Sequence, residues 1–171
     1  MGKTAYIWAA VIFGLGFALH FAYEWSGLTM VGLVCPVNES VWEHLKLAFF
    51  PLAAWWLIYG KKTGMPVRRR VMAAAVSACA AVLIILLIHY TVSGVFGRDM
   101  VAADIAALSV SLFAGQGLAL RALEKERGAW AWKASAAALV ILGAMLVVFT
   151  FCPPHIPLFL DREGGFYGIQ R

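Results

Sequence analysis

The stretch VMAAAVSACAAVLIILLIHYTVSGVF, Val71 to Phe96, decides the fold, because its 26 residues include no Asp, Glu, Lys or Arg. A helix needs about 20 apolar residues, each rising 1.5 Å, to cross the hydrocarbon core of a bilayer. Backbone amides in hydrocarbon must bond within their own segment, so such a run is helical. It also lacks the period-two alternation of a barrel strand. Comparable runs lie on either side at Ala5–Trp25, Val41–Tyr59, Val101–Leu120 and Trp130–Phe151. The chain therefore reads as an all-α integral membrane bundle of five transmembrane helices, forming a single transmembrane domain over residues 1–171. The composition agrees: 63% hydrophobic residues and a mean hydropathy of +0.82 lie above what ordinary soluble domains carry, and 13% charged residues lie below it. The first run follows Lys3 as a secretory signal would. It has no small-x-small cleavage site, however, and continues into His20-Phe21-Ala22-Tyr23-Glu24-Trp25, so it is expected to remain as a helix.

The loops orient the bundle. Lys3, the connector from Lys61 to Arg70 and the stretch from Arg121 to Lys133 share one side, with ten basic residues against Glu124 and Glu126. The opposite side has Lys46, Arg98, Arg162 and Arg171 against seven acidic residues. The positive-inside rule then places the amino terminus in the cytoplasm and the carboxyl terminus outside. On this reading the net charge of +5 reflects topology and anionic headgroups, and membrane lipids rather than nucleic acid are the expected partners. Homo-oligomerisation stays open.

Residues 152–171 form an extended outer tail. Pro153, Pro154 and Pro157 stop the fifth helix, and Gly164-Gly165 offers a turn by which the tail could fold back over the bundle mouth. Asp161, Arg162 and Glu163 read as a solvated turn. Three cysteines are too few for a disulfide framework. Cys35 and Cys152, both expected outside, could pair in an oxidising compartment, although two free thiols are the plainer reading.

The groups able to handle protons or metals gather at the outer helix ends. His20 and Glu24 are four apart on one helical face. The second span opens Asn38-Glu39-Ser40-Val41-Trp42-Glu43-His44-Leu45-Lys46, with Glu39 and Glu43 on one stripe and Ser40 and His44 on the next. His89, Asp99 and Asp104 lie at the same depth, and the tail brings His155. Taken singly, each piece has an ordinary role: a helix-end ion pair for His20 and Glu24, dipole and cap chemistry for Asn38, Glu39, Ser40 and Glu43, and a snorkelling Lys46. Their convergence from separate elements points instead to a site for zinc or a similar divalent ion. His20, His44 and His155 are the expected ligands, and Asp104 is a reserve ligand. Glu24, Glu39 or Glu43 would serve as general base or hold the ligands in place. His89 ranks lowest, because the interfacial end of a helix tolerates a lone histidine. No HExxH signature is present.

The blocks His20-Phe21-Ala22-Tyr23-Glu24-Trp25-Ser26-Gly27, Pro36 to Lys46 and Pro153-Pro154-His155-Ile156-Pro157-Leu158-Phe159 resemble the signatures of a family of small bacterial integral-membrane proteins of unknown function. The likeness covers essentially the whole chain. It implies a five-helix membrane protein and directs attention to His20, Glu24, Asn38, Glu39, Ser40, Glu43, His44 and His155; a multi-pass protein of the bacterial cytoplasmic (inner) membrane is expected. It brings no activity. A weaker similarity is to alkaline-ceramidase-type membrane hydrolases, in which Ser40 and His44, Asp104 and His155 would take the roles of the serine, aspartate and histidines. That group has seven spans and a His-x-x-x-His pair where this chain has a single His155.

Three functions follow from these residues. The first is a metal-dependent hydrolase or transferase at the outer leaflet, acting on a lipid or lipid-linked ester or amide. The second is an ion or small-solute transporter, for which the inner half offers only Gln116, Ser77, Ser109 and Ser111. The third is a non-catalytic membrane subunit or sensor.

Overall fold

The computed structural model describes residues 2–125 and 128–169. Glu126, Arg127 and Arg171, which enter the charge asymmetry, lie outside them. The described chain is helical in the order α1 (Gly2–Ser26), α2 (Thr29–Gly32), α3 (Val41–His44), α4 (Lys46–Lys62), α5 (Val67–Phe96), α6 (Val101–Leu123) and α7 (Ala129–Phe151), followed by a 3-10 turn at Pro157–Phe159. Four helices, α1, α5, α6 and α7, are long and apolar enough to cross a membrane. Their outward faces carry bare apolar side chains such as Leu15, Leu83, Leu87, Val140 and Ile141. Water would not favour so large an apolar exterior, whereas lipid does. A membrane protein is the consequence.

The second expected span is divided. Its amino-terminal turn is α3 and the rest is α4, with Leu45 between them in ordinary right-handed helical geometry. The join is a tightened turn, where Leu45 N–H donates to Trp42 O and Ala48 N–H to Leu45 O, both at 3.2 Å. Pro51 sits inside α4 without ending it. This 17-residue helix packs against α1, α5, α6 and α7, and Ala48, Leu52 and Trp56 are fully buried. It is the axis of the bundle. The most extensive contact is α5 on α6, and small residues permit it. A Cβ at Gly115 would lie 2.6 Å from Ser77 O, so the two backbones approach as closely as glycine allows.

At one end Arg69 donates to Leu123 O, and Arg68 lies 5.9 Å over the Trp132 ring. The other end is covered by the tail. Phe159 is buried against Trp42, at 4.8 Å between ring centroids, and Phe149, at 5.3 Å. Gly168, at φ +69°, packs on the end of α7, where a Cβ would meet Thr150 O at 2.9 Å. Ile169 N–H donates to that same carbonyl at 2.9 Å. Asp161 is not solvated as expected. It is buried, and its Oδ1 accepts Glu163 N–H and Gly164 N–H at 2.9 Å each, an Asx-type turn. Cys35 and Cys152 are both free, the first buried and the second exposed. Burial pushes the Cys35 thiol up against the pull of Lys46, which makes it a poor nucleophile.

Candidate functional site

Ser40 starts the construction of the site. It precedes α3 in an extended conformation, and its Oγ accepts Glu43 N–H at 3.3 Å. Ser40 and Glu43 stand at the two ends of a capping-box spacing, but the Glu43 side chain reaches further back, to Val37 N–H at 3.1 Å, instead of closing on the cap residue. Asn38 Oδ1 accepts Ser40 N–H, and Asn38 Nδ2 donates to Gly168 O, both at 2.9 Å. Glu39 N–H points to Asp161 Oδ2 at 3.4 Å. The loop carrying Glu39 is thus held by its own side chains, by α3 and by the tail.

Beneath it lies a buried cation. Lys46 Nζ donates to Glu43 Oε2 at 2.6 Å, Thr150 Oγ1 at 2.6 Å and Gly32 O at 2.7 Å. Neither side chain of the Lys46–Glu43 pair is more than 2% exposed. Thr150 Oγ1 also sits 3.0 Å from Glu43 Oε1. Lys46, expected to snorkel, is instead the polar core that ties the loop, α3 and α7 together.

On this frame three groups converge. His44 Nε2 lies 3.0 Å from His20 Nε2 and 3.4 Å from Glu39 Oε2, and His20 Nε2 is 3.6 Å from the same carboxylate oxygen. All three ligand atoms fall within 4.8 Å of one another. His44 Nδ1 lies 2.8 Å from Ser40 O. Only an N–H can satisfy that carbonyl, so neutral His44 presents its Nε2 lone pair to the cluster. When protonated, it can instead donate Nε2–H to Glu39. The hydrogen bond to His44, with lesser help from the charges of His44 and His20, holds the Glu39 carboxyl below its usual range despite partial burial. The cluster can therefore hold a proton or a cation, and two imidazoles with a carboxylate suit zinc.

A second pair faces the same cavity, whose volume is about 390 Å³. His89 is 4% exposed and its Nδ1 is 2.8 Å from Asp104 Oδ1. Its Nε2 has no hydrogen-bond partner among the described residues and lies 3.8 Å from Asp99 Oδ1. Asp99 in turn pairs with Arg162 of the tail, which, with Leu160 and Glu163, lines the cavity.

The structure brings His20, His44, Glu39, His89 and Asp104 to one cavity, and leaves other expected participants elsewhere. His155 is exposed and stacks on Tyr167 at 4.5 Å between centroids, so the trio is completed by Glu39 and not by a third histidine. Asp104 bonds to His89 rather than joining the trio. Glu24 is exposed on α1 and does not line the cavity. Glu43, Lys46, Asn38 and Ser40 are engaged in the network described above. The pairing of Asp99 with Arg162 is not legible in the sequence, since a charged pair joining a loop to a tail 63 positions away leaves no local signal. His89 did leave one. It stands two helical turns inside α5, a costlier place for an imidazole than a helix end.

These features define an all-helical, membrane-compatible bundle with a His–Glu–His cluster beneath a folded tail. The chain belongs to a family of unknown function, DUF6512, whose signature spans residues 1–169. Neither the curated proteins nor the solved structures include a match to it.

Proposed function

We propose that the protein is a five-span enzyme of the bacterial cytoplasmic membrane, amino terminus inside and tail outside. It would act as a metal-dependent hydrolase or transferase on a lipid or lipid-linked ester or amide. The observation that carries this reading is the meeting of His20, Glu39 and His44 within 4.8 Å at the head of an otherwise largely apolar cavity. Three protein ligands that leave a coordination position open are the pattern of a catalytic zinc rather than a structural one. Bound there, the ion would supply a water with a pKa near 7 and polarise a carbonyl. Val41 to Lys62, taken as one helix across the Leu45 join, spans about 33 Å and supports a fifth crossing.

The chain's own groups have separable tasks. Ser40 O holds the His44 tautomer, and the loop network holds Glu39 at the cluster. His89, fixed through Nδ1 by Asp104, offers Nε2 as the group that accepts a proton from the attacking water and returns it to the leaving group. Glu43 is committed to Lys46 and Glu24 lies apart, so neither competes for that task.

Elemental analysis of purified protein, reloaded with zinc at neutral pH, tests the centre. About one zinc per chain is expected, with at least a tenfold loss in His20→Ala and His44→Ala and an unchanged helical spectrum. Protein that binds no divalent metal under these conditions would remove the mechanism. The transporter alternative draws on Gln116 and Ser77, whose side-chain polar atoms are buried without partners among the described residues. Ion flux into liposomes that survives both histidine substitutions would favour it.

A further inference from the structure

We infer that the cavity receives a single-chain amphiphile with an uncharged or cationic head, entering sideways from the lipid between α1 and α6. This deepens the enzyme reading, on which it rests for the fate of the head but not for the seating of the chain. α1, the α3–α4 pair, α5 and α6 each place a polar group above apolar ones at the cavity, and Phe21, Val41 and Val101 border these groups on the tail side. On α1, His20 stands above Phe17, Gly16 and Phe13. His44 stands above Leu47, His89 above Ile85, and Asp104 above Ile105 and Leu108. Seven residues of helix separate His20 from Phe13, an apolar depth of about 10 Å. The slot is closed at the depth of Gly16, where α1 meets α6, since a Cβ there would already lie in ordinary contact with Leu108 Cδ2 at 3.6 Å. The chain therefore enters above that contact, and the volume of about 390 Å³, in the range of small-ligand sites, holds one chain rather than two.

The entrance follows from residues that belong to both surfaces. Phe17 and Phe21 on α1, and Val101 and Ile105 on α6, line the cavity yet are 56%, 41%, 74% and 43% exposed. These are apolar side chains on membrane-length helices, so the slot opens toward hydrocarbon. Leu160, Arg162 and Glu163 border it on the tail side, and the Arg162–Asp99 pair fastens that border. Head chemistry follows from charge. Glu39, Asp99, Asp104 and Glu163 line the cavity with Arg162 as the opposing fixed cation, and Arg162 is already paired. With neutral histidines the lining stays net negative even with a divalent ion at the trio, so a phosphate head is repelled while an amine or hydroxyl head is admitted.

Photolabelling of the full-length protein in zwitterionic liposomes tests this, using a diazirine-bearing decylamine. The expected labels fall on Phe13–Phe21 and Val101–Leu108. Decylamine and decanol should compete at least tenfold better than decyl phosphate. Leu108→Trp and, as a second variant, Ile105→Trp should each cut labelling at least tenfold with zinc content and helicity retained. Labelling spread over the outer face of α7 and indifferent to both substitutions would overturn the inference, as would equal competition by decyl phosphate. The competition result on the unsubstituted protein stands even if neither variant folds. His44→Ala separates the two readings: it should remove zinc while leaving the chain-dependent labelling in place, so failure of the metal centre and failure of the slot are read independently.

Discussion

His89 combines three properties in one side chain: burial at 4% exposure, an Nδ1 bonded to Asp104 at 2.8 Å, and an unpartnered Nε2 in a wall of the cavity. A buried polar atom without a partner costs stability, and such a cost persists where a ligand or a reaction uses the atom. His89→Gln is therefore expected to lower turnover of a chromogenic acyl ester by about 100-fold or more, while bound zinc stays at one per chain. Loss of zinc in this variant would make His89 a ligand instead. His20 and His44 were readable as candidates because histidines at helix ends facing one side of a membrane are few. Their partner was harder to identify. The choice between Glu39 and His155 depends on where a tail more than 100 residues away comes to rest, and Tyr167 takes the His155 ring.

At the scale of elements, the joint between the 36–40 loop, α3, α4 and α7 is polar and buried. Lys46 alone joins Gly32, Glu43 and Thr150. Removing one member of a buried ion pair strands the other charge at a cost of about 3–5 kcal/mol. Lys46→Ala should lower the unfolding midpoint accordingly in a denaturant titration, and should loosen the loop that carries Glu39, so zinc affinity falls with it. A midpoint within error of the unsubstituted protein would show that water or a rearranged Glu43 replaces the lysine. The α3–α4 boundary at Leu45 belongs to this scale too. The hydropathy of residues 41–59 reads as one span, and the tightened turn arises where the helix must serve both the buried Lys46 on one side and the His44 ligand face on another.

For the whole molecule, the two ends of the bundle differ in charge, and the proposed orientation rests on that difference. Cys152 is exposed at the tail end, and Thr63 is exposed in the basic connector. A membrane-impermeant maleimide applied to intact cells should modify Cys152 but not a cysteine introduced by Thr63→Cys, and lysis should expose the latter. The reverse pattern would place the candidate centre in the cytoplasm.

The sequence by itself determined the four membrane-length helices α1, α5, α6 and α7 and the end of the bundle at which reactive groups gather. These follow from local hydropathy, proline and charge, which act over about 20 residues or fewer. Only the tertiary structure decided which groups touch. The Asn38–Gly168, Lys46–Thr150, His20–His44 and Asp99–Arg162 contacts join separate helices or loops. Their geometry depends on how the helices pack and where the tail docks, neither of which a periodic pattern along the chain encodes.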